Sequence, residues 1–185
     1  MRYYEMVGSL DQEPDRWFLG EPTDTLGHEV DSRSFIAGVR VETPAPLRIQ
    51  VYRDGMPLDF TFAAFDMPVV HRSLGELIER IAPGDVQRIA AHVGDRGDFE
   101  ILNMTRSIAC VDESRTYIMR WGPRDGRPDK IGEYRMIDDL HIRPESAGSA
   151  PIFRILGWEI DLICSEALKQ QIEARRLTGL KFRPV

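Results

Sequence analysis

The sequence predicts an α+β domain: a mixed, strand-rich sheet with two strand–helix–strand units that pack their helices on it. Three observations predict this class. Many short runs alternate apolar and polar residues at period two, as Leu47, Ile49 and Val51 do. Two stretches place apolar residues at helical spacing, Leu74, Leu77, Ile78 and Ile81 in one, Leu168 and Ile172 in the other. These two stretches also match each other. Laid without gaps at an offset of 94, residues 70–91 meet 164–185, with Leu74 on Leu168, Ile78 on Ile172, Glu79 on Glu173 and Val86 on Leu180. True repetition and convergence on one supersecondary pattern would both give such a match.

Along the chain, residues 1–8 read as a first strand. Residues 9–24 are rich in turn formers and acids, and read as a loop pinned to the body by Trp17, Phe18 and Leu19. Residues 47–62 read as a β-hairpin, because Asp54-Gly55 is a tight-turn dipeptide between two alternating runs. Met67 to Val70 is a short extended run before the first helix, which Pro83-Gly84 ends. Extended stretches follow at 86–93 and from Phe99 onward, with "GDRGDFE" as a hairpin turn. A Gly/Pro/charge loop covers 122–132, and two or three further strands lead to the last helix and strand.

A chain of 185 residues with 42% hydrophobic and 29% charged residues fits one domain, here 1–185, with residues 1–34 an acidic, loop-rich N-terminal segment. Residues 1–31 hold eight acids and two bases, which equals the whole formal charge of −6; the remaining 22 acids and 22 bases balance. Such a segment repels nucleic acid and attracts basic proteins. Asp11, Glu13, Asp15, Glu21 and Asp24 are therefore the candidate partner-binding residues. The opening residues lack the apolar core of a signal peptide, and no apolar run reaches the roughly 18 residues of a membrane helix. A cytoplasmic protein without membrane insertion is expected.

Residue chemistry argues against several enzymes. Cys164-Ser165 sits where a strand enters a helix, as a nucleophile elbow would, but no G-x-S-x-G surrounds it. Ser165 fits an N-cap, and Cys164 continues the face of Ile160 and Leu162 into the core. His28, His71, His92 and His141 are scattered, and neither they nor Cys110 and Cys164 show zinc spacing. "GPRDGRPDKIG" is not a P-loop. Asp138-Asp139 are neighbours on a strand and face opposite ways. No catalytic, metal or cofactor residue is assigned. Trp121 and Trp158 are the candidates for lining a pocket between sheet and helices.

The last third carries a resemblance. Ile152-Phe153-Arg154, Gly157-Trp158, Leu162-Ile163, Ser165-Glu166, Thr178-Gly179-Leu180, Phe182 and Pro184-Val185 resemble the C-terminal signature of the bacterial immunity-protein family eleven, first noted as a myxobacterial domain. The likeness extends over roughly residues 55–185. It implies a protein encoded beside a polymorphic toxin that binds and neutralises that toxin in the producing cell, with no catalytic residues to carry over. The alternative is a non-catalytic sensor module for a small molecule or lipid.

Overall fold

The computed structural model describes residues 1–9 and 11–185. Strands β1 (Tyr3–Gly8), β2 (Phe18–Thr23), β3 (Leu47–Arg53), β4 (Phe60–Phe62) and β5 (Pro68–His71) come first. Helix α1 (Arg72–Ile81) leads to β6 (Val86–Val93), β7 (Arg96–Met104) and β8 (Ser107–Ile108). Then come β9 (Tyr117–Arg120), β10 (Tyr134–Asp138), a single helical turn α2 (Pro144–Ala147), β11 (Ile152–Ile155), β12 (Trp158–Ser165), α3 (Glu166–Glu173) and β13 (Leu180–Pro184). One sheet has the order β13-β1-β12-β11-β8 and a second β2-β3-β6-β7-β5-β4, while β9 and β10 form a separate ribbon. This is the strand-rich α+β class the sequence predicts.

The two helical stretches belong to equivalent units, β4-β5-α1-β6 and β11-β12-α3-β13. In each, the strands before and after the helix flank an antiparallel middle strand, which is β7 in the first unit and β1 in the second. The registers correspond residue for residue. Phe60 faces Val70, Val70 faces Glu100, and Arg88 faces Leu102. At the offset of 94 or its counterpart, Ile152 faces Cys164, Cys164 faces Tyr4, and Phe182 faces Met6. The first unit takes its middle strand from the residues that follow it. The second takes it from the opposite end of the chain, and the Val185 N–H donates to the Tyr3 carbonyl at 3.3 Å.

The helices form where their apolar stripes find this shared core. Leu74, Leu77 and Ile78 of α1 and Leu168 and Ile172 of α3 are buried with Phe60, Val70, Leu102, Met6, Ile152, Leu162 and Cys164. Each such side chain contributes roughly 1.5–3 kcal/mol by leaving water. The helix starts are capped at equivalent positions: His71 accepts from the Ser73 N–H, and Ser165 Oγ accepts from the Leu168 N–H at 3.3 Å. The other faces of the two sheets are covered separately. Trp17, Leu19 and Phe35 pack with Ile49, Ile89 and Ile101, and Cys110, Leu140 and Ile142 pack with Phe153 and Ile163.

Two local expectations are corrected. Residues 47–62 are not a hairpin, since β3 pairs with β2 and β6 while β4 pairs with β5. The Asp54-Gly55 pair instead meets the N-terminal segment. The Met56 N–H donates to the Asp15 carbonyl at 2.9 Å, and the Trp17 N–H to the Met56 carbonyl at 3.2 Å. A Cβ on Gly55 would lie 2.4 Å from the Asp15 carbonyl oxygen, so this approach requires glycine. Nor are residues 9–24 all loop. Phe18–Thr23 is an edge strand, irregular where its pairing with β3 shifts around Leu19 and Pro22.

Candidate functional site: a cleft between the two units

A cleft of about 520 Å³ opens where β1 and β12 of one sheet approach β2, β4 and the 64–66 turn of the other. Its apolar lining includes Met6, Trp17, Leu58, Phe60 and Phe62. The Trp17 indole N–H donates to Thr61 Oγ at 2.9 Å, which fixes the ring in the wall. Asp66 in the lining and its neighbour Phe65 both have positive φ, 56° and 55°, a costly pair for residues other than glycine. The charged lining residues are Glu5, Asp66, Asp161 and Arg16.

Behind the lining lies Arg154, with 0% of its surface exposed. Its Nη1 donates to the Glu159 carbonyl and to the Ile160 carbonyl at 3.1 Å, while Nε and Nη2 are buried without a partner among the described residues. Burial pushes this guanidinium down to about 10, against the opposing pull of Asp66, Asp161 and Glu159. Burial also pushes Asp161 up to about 6, and the charge of Glu5 adds to it. The Trp158 indole N–H donates to Asp161 Oδ2 at 3.0 Å and works the other way. Burial likewise raises Asp66, with Arg154 opposing. Glu5 is held by Arg183, whose Nε and Nη2 donate to Oε2 at 2.9 and 2.6 Å.

The molecule contains its own control for these charges. By the shared register, Glu5, Arg154 and Asp161 occupy the places of Ile101, Phe62 and Met67 in the first unit. The same backbone therefore closes with apolar residues there. Burying charge is costly unless it is paired, so the second unit carries at this cleft something its fold does not need.

The candidates named from sequence fall in different places. Glu13 ties the leader to the cleft edge: it accepts from Ser9 Oγ and, at 3.1 Å, from the Gly179 N–H. Asp11 pairs with Lys181. Asp15 lies beside the Gly55 approach, and Glu21 is half-buried on β2; neither side chain has a hydrogen bond or ion pair among the described residues. Asp24 closes its own turn through the Leu26 and His28 N–H groups at 2.8 and 2.9 Å and the His28 ring at 2.9 Å. Trp121 and Trp158 do not line the cleft. Trp121 stacks under the Arg135 guanidinium at 5.0 Å, and Trp158 packs on the far face of its sheet; the cleft tryptophan is Trp17. Glu5, Asp66, Arg154 and Asp161 were missed. A signal existed: three of them interrupt the apolar runs "YYEMV", "IFRI" and "EIDLI". Extending the repeat alignment backwards by three residues sets Asp161 on Met67.

Cys164 and Cys110 are fully buried, which pushes their thiols up to about 12 and about 11, so both stay protonated. Ser73 Oγ, His71 and Asp98 form a chain, with Nδ1 2.8 Å from the hydroxyl and Nε2 3.2 Å from the carboxylate. It lies on the exposed surface outside the cleft, and its Nδ1 already caps α1. Among the described residues, no group of three His, Cys, Asp or Glu is placed to hold a metal, and no helix is long and apolar enough to cross a membrane.

No curated protein matches this chain closely enough to carry an argument. The sequence does match the Immunity protein family (Imm11) over residues 9–185, which takes in both capped helices and every strand except β1. That match takes in nearly the whole chain, and the chain belongs to the Imm11 immunity protein family.

Proposed function

We propose that this protein binds a cognate toxin, encoded nearby, in the cytoplasm of the producing bacterium and neutralises it. Family membership over residues 9–185 is the observation that carries this reading. Inhibition by binding needs a complementary surface rather than a catalytic constellation. Residues 1–185 act as one domain, and the acidic residues Asp11, Glu13, Asp15, Glu21 and Asp24 lie on or near the partner surface. Their charge speeds encounter with a basic protein. Co-expression of the tagged chain with the product of the adjacent reading frame is expected to yield a stoichiometric complex and to rescue poisoned cells. No complex and no rescue would overturn the reading.

A second reading has one observation in its favour. A cleft of about 520 Å³ with aromatic walls is large enough for a small molecule or lipid chain, as a sensor module would require. Native mass spectrometry of freshly purified protein tests it, with a retained ligand as the expected result.

A further inference from the structure

We infer that the cleft binds a small amphiphilic anion, an alkyl chain ending in a carboxylate, with the chain against Trp17, Phe60 and Phe62 and the carboxylate at the arginines of the mouth. This rests on the small-molecule reading and names the class of ligand. Three observations support it.

The first is the walls. Met6, Trp17, Leu58, Phe60 and Phe62 line a cleft of about 520 Å³. That volume is in the range of small-molecule sites, and such a lining takes an alkyl chain out of water. The bond from the Trp17 indole to Thr61 Oγ at 2.9 Å fixes this wall before a ligand arrives.

The second is the mouth. Phe18 lines the cleft, and both Arg53 and Arg16 lie over its ring, at 3.8 and 4.4 Å. Arg33 lies over the Phe65 ring at 3.6 Å, and Phe65 sits between the lining residues Ala64 and Asp66. An aromatic face holds a guanidinium in place and leaves its in-plane N–H groups for a two-pronged bond to a carboxylate. Arg53 is exposed and has no carboxylate partner among the described residues, while Arg33 has the exposed Asp31 at 3.5 Å.

The third is the balance of charge inside. Glu5 is held by Arg183, Asp161 accepts from the Trp158 indole, and Glu13 at the edge accepts from Ser9 and the Gly179 N–H. Arg154 offsets Asp66 and Asp161 from behind, fully buried, with Nε and Nη2 unpartnered among the described residues. Burial raises both of these acids, which lowers their negative charge further. The interior acids are thus engaged or offset, and the mouth carries guanidinium groups that draw an anion in. The first unit has apolar Phe62, Met67 and Ile101 at the places of Arg154, Asp161 and Glu5, so the fold does not require a cation here.

Two measurements on the intact chain test this. The first follows the Trp17 indole N–H by NMR during titration with octanoate, octanol and octyltrimethylammonium, each below its solubility and micelle limits. Octanoate is expected to give a saturable shift, with NOEs from its chain to the Phe62 ring. Octanol should bind at least tenfold more weakly, and the cation should give no saturable shift. The second measurement repeats the titrations on Arg33→Gln/Arg53→Gln. This variant should bind octanoate at least tenfold more weakly and octanol within twofold of wild type. Arg96→Gln/Arg124→Gln, which removes equal charge away from the cleft, should bind octanoate within twofold of wild type. Matching melting curves verify that the variants are folded. If octanol binds as well as octanoate, or the mouth variant keeps its octanoate affinity, the inference is overturned and the small-molecule reading stands. No saturable shift with any of the three also overturns it; the small-molecule reading is then decided by the retained-ligand measurement, and neither result touches toxin binding.

Discussion

The two strand–helix–strand units share a backbone register but solve the same packing problem with different chemistry. In the first, Glu100 of the middle strand is buried under α1 and held by Arg88, at 2.7 Å to Oε2 and 2.8 Å to Oε1, with Glu79 on the same guanidinium at 2.7 Å. In the second, the places of Glu100 and Arg88 are taken by Tyr4 and Phe182. Gly75 and Glu79 become Lys169 and Glu173. Lys169 lies over both rings, at 5.1 and 5.6 Å, and pairs with Glu173 at 2.7 Å. The glycine follows from the carboxylate, because a Cβ at Gly75 would lie 2.4 Å from Glu100 Oε2. At the cleft the exchange runs the other way: the places of apolar Phe62, Met67 and Ile101 are taken by charged Arg154, Asp161 and Glu5. One fold tolerates either chemistry under its helix. The charges at the cleft therefore stand out as additions.

The largest effect should come from breaking the first unit's pair. Arg88→Leu removes both hydrogen bonds to the buried Glu100 carboxylate, leaving it only Arg72 at 4.0 Å, and is expected to cost about 3 kcal/mol in urea denaturation. Transplanting the second unit's chemistry, Arg88→Phe with Glu100→Tyr, should recover most of that loss. If the double variant is as unstable as the single one, the two units are less equivalent than their registers indicate.

Next in size is the pH dependence that the second unit alone carries at the cleft. Asp161 titrates at about 6 in the fold and at about 3.9 when unfolded. The folded protein thus binds the proton more tightly. The stability this provides is full below the unfolded value and is lost as pH rises through about 6, by roughly 3 kcal/mol. Asp161→Asn should flatten that slope between pH 4 and 7 and leave the variant more stable than wild type at pH 8. An unchanged slope would assign the titration to another group, Asp66 first.

The smallest effect is at the caps. Ser165→Ala should cost about 1 kcal/mol, since it frees a buried helix N–H. His71→Ala should cost less, because the equivalent cap is open to water. Equal losses would mean that the histidine's bond to Asp98 supports α1 as much as its cap does.

Much of this fold was legible in the chain. Both long helices, the Ser165 cap, the buried thiols and the β6–β7 hairpin follow from local pattern, because each depends on residues within a few positions of one another. The offset of 94 carried more than it claimed: it encodes the pairing register of two sheets. The false hairpin at 47–62 shows where local reading stops. Asp54-Gly55 has turn chemistry, but the glycine serves a close approach by residues about 40 positions away.

The sequence by itself determined the class of fold, the two helices that share a core, the acidity of the leading segment and the family. Period and composition are local, additive properties, so they survive without coordinates. Only the tertiary structure decided that β1 completes the second unit, that Trp17 rather than Trp121 or Trp158 lines the cleft, and that Glu5, Asp161 and Arg154 converge there. Those residues are up to 156 positions apart. Whether a charge is solvated, paired or held against a cavity depends on what the rest of the chain places beside it.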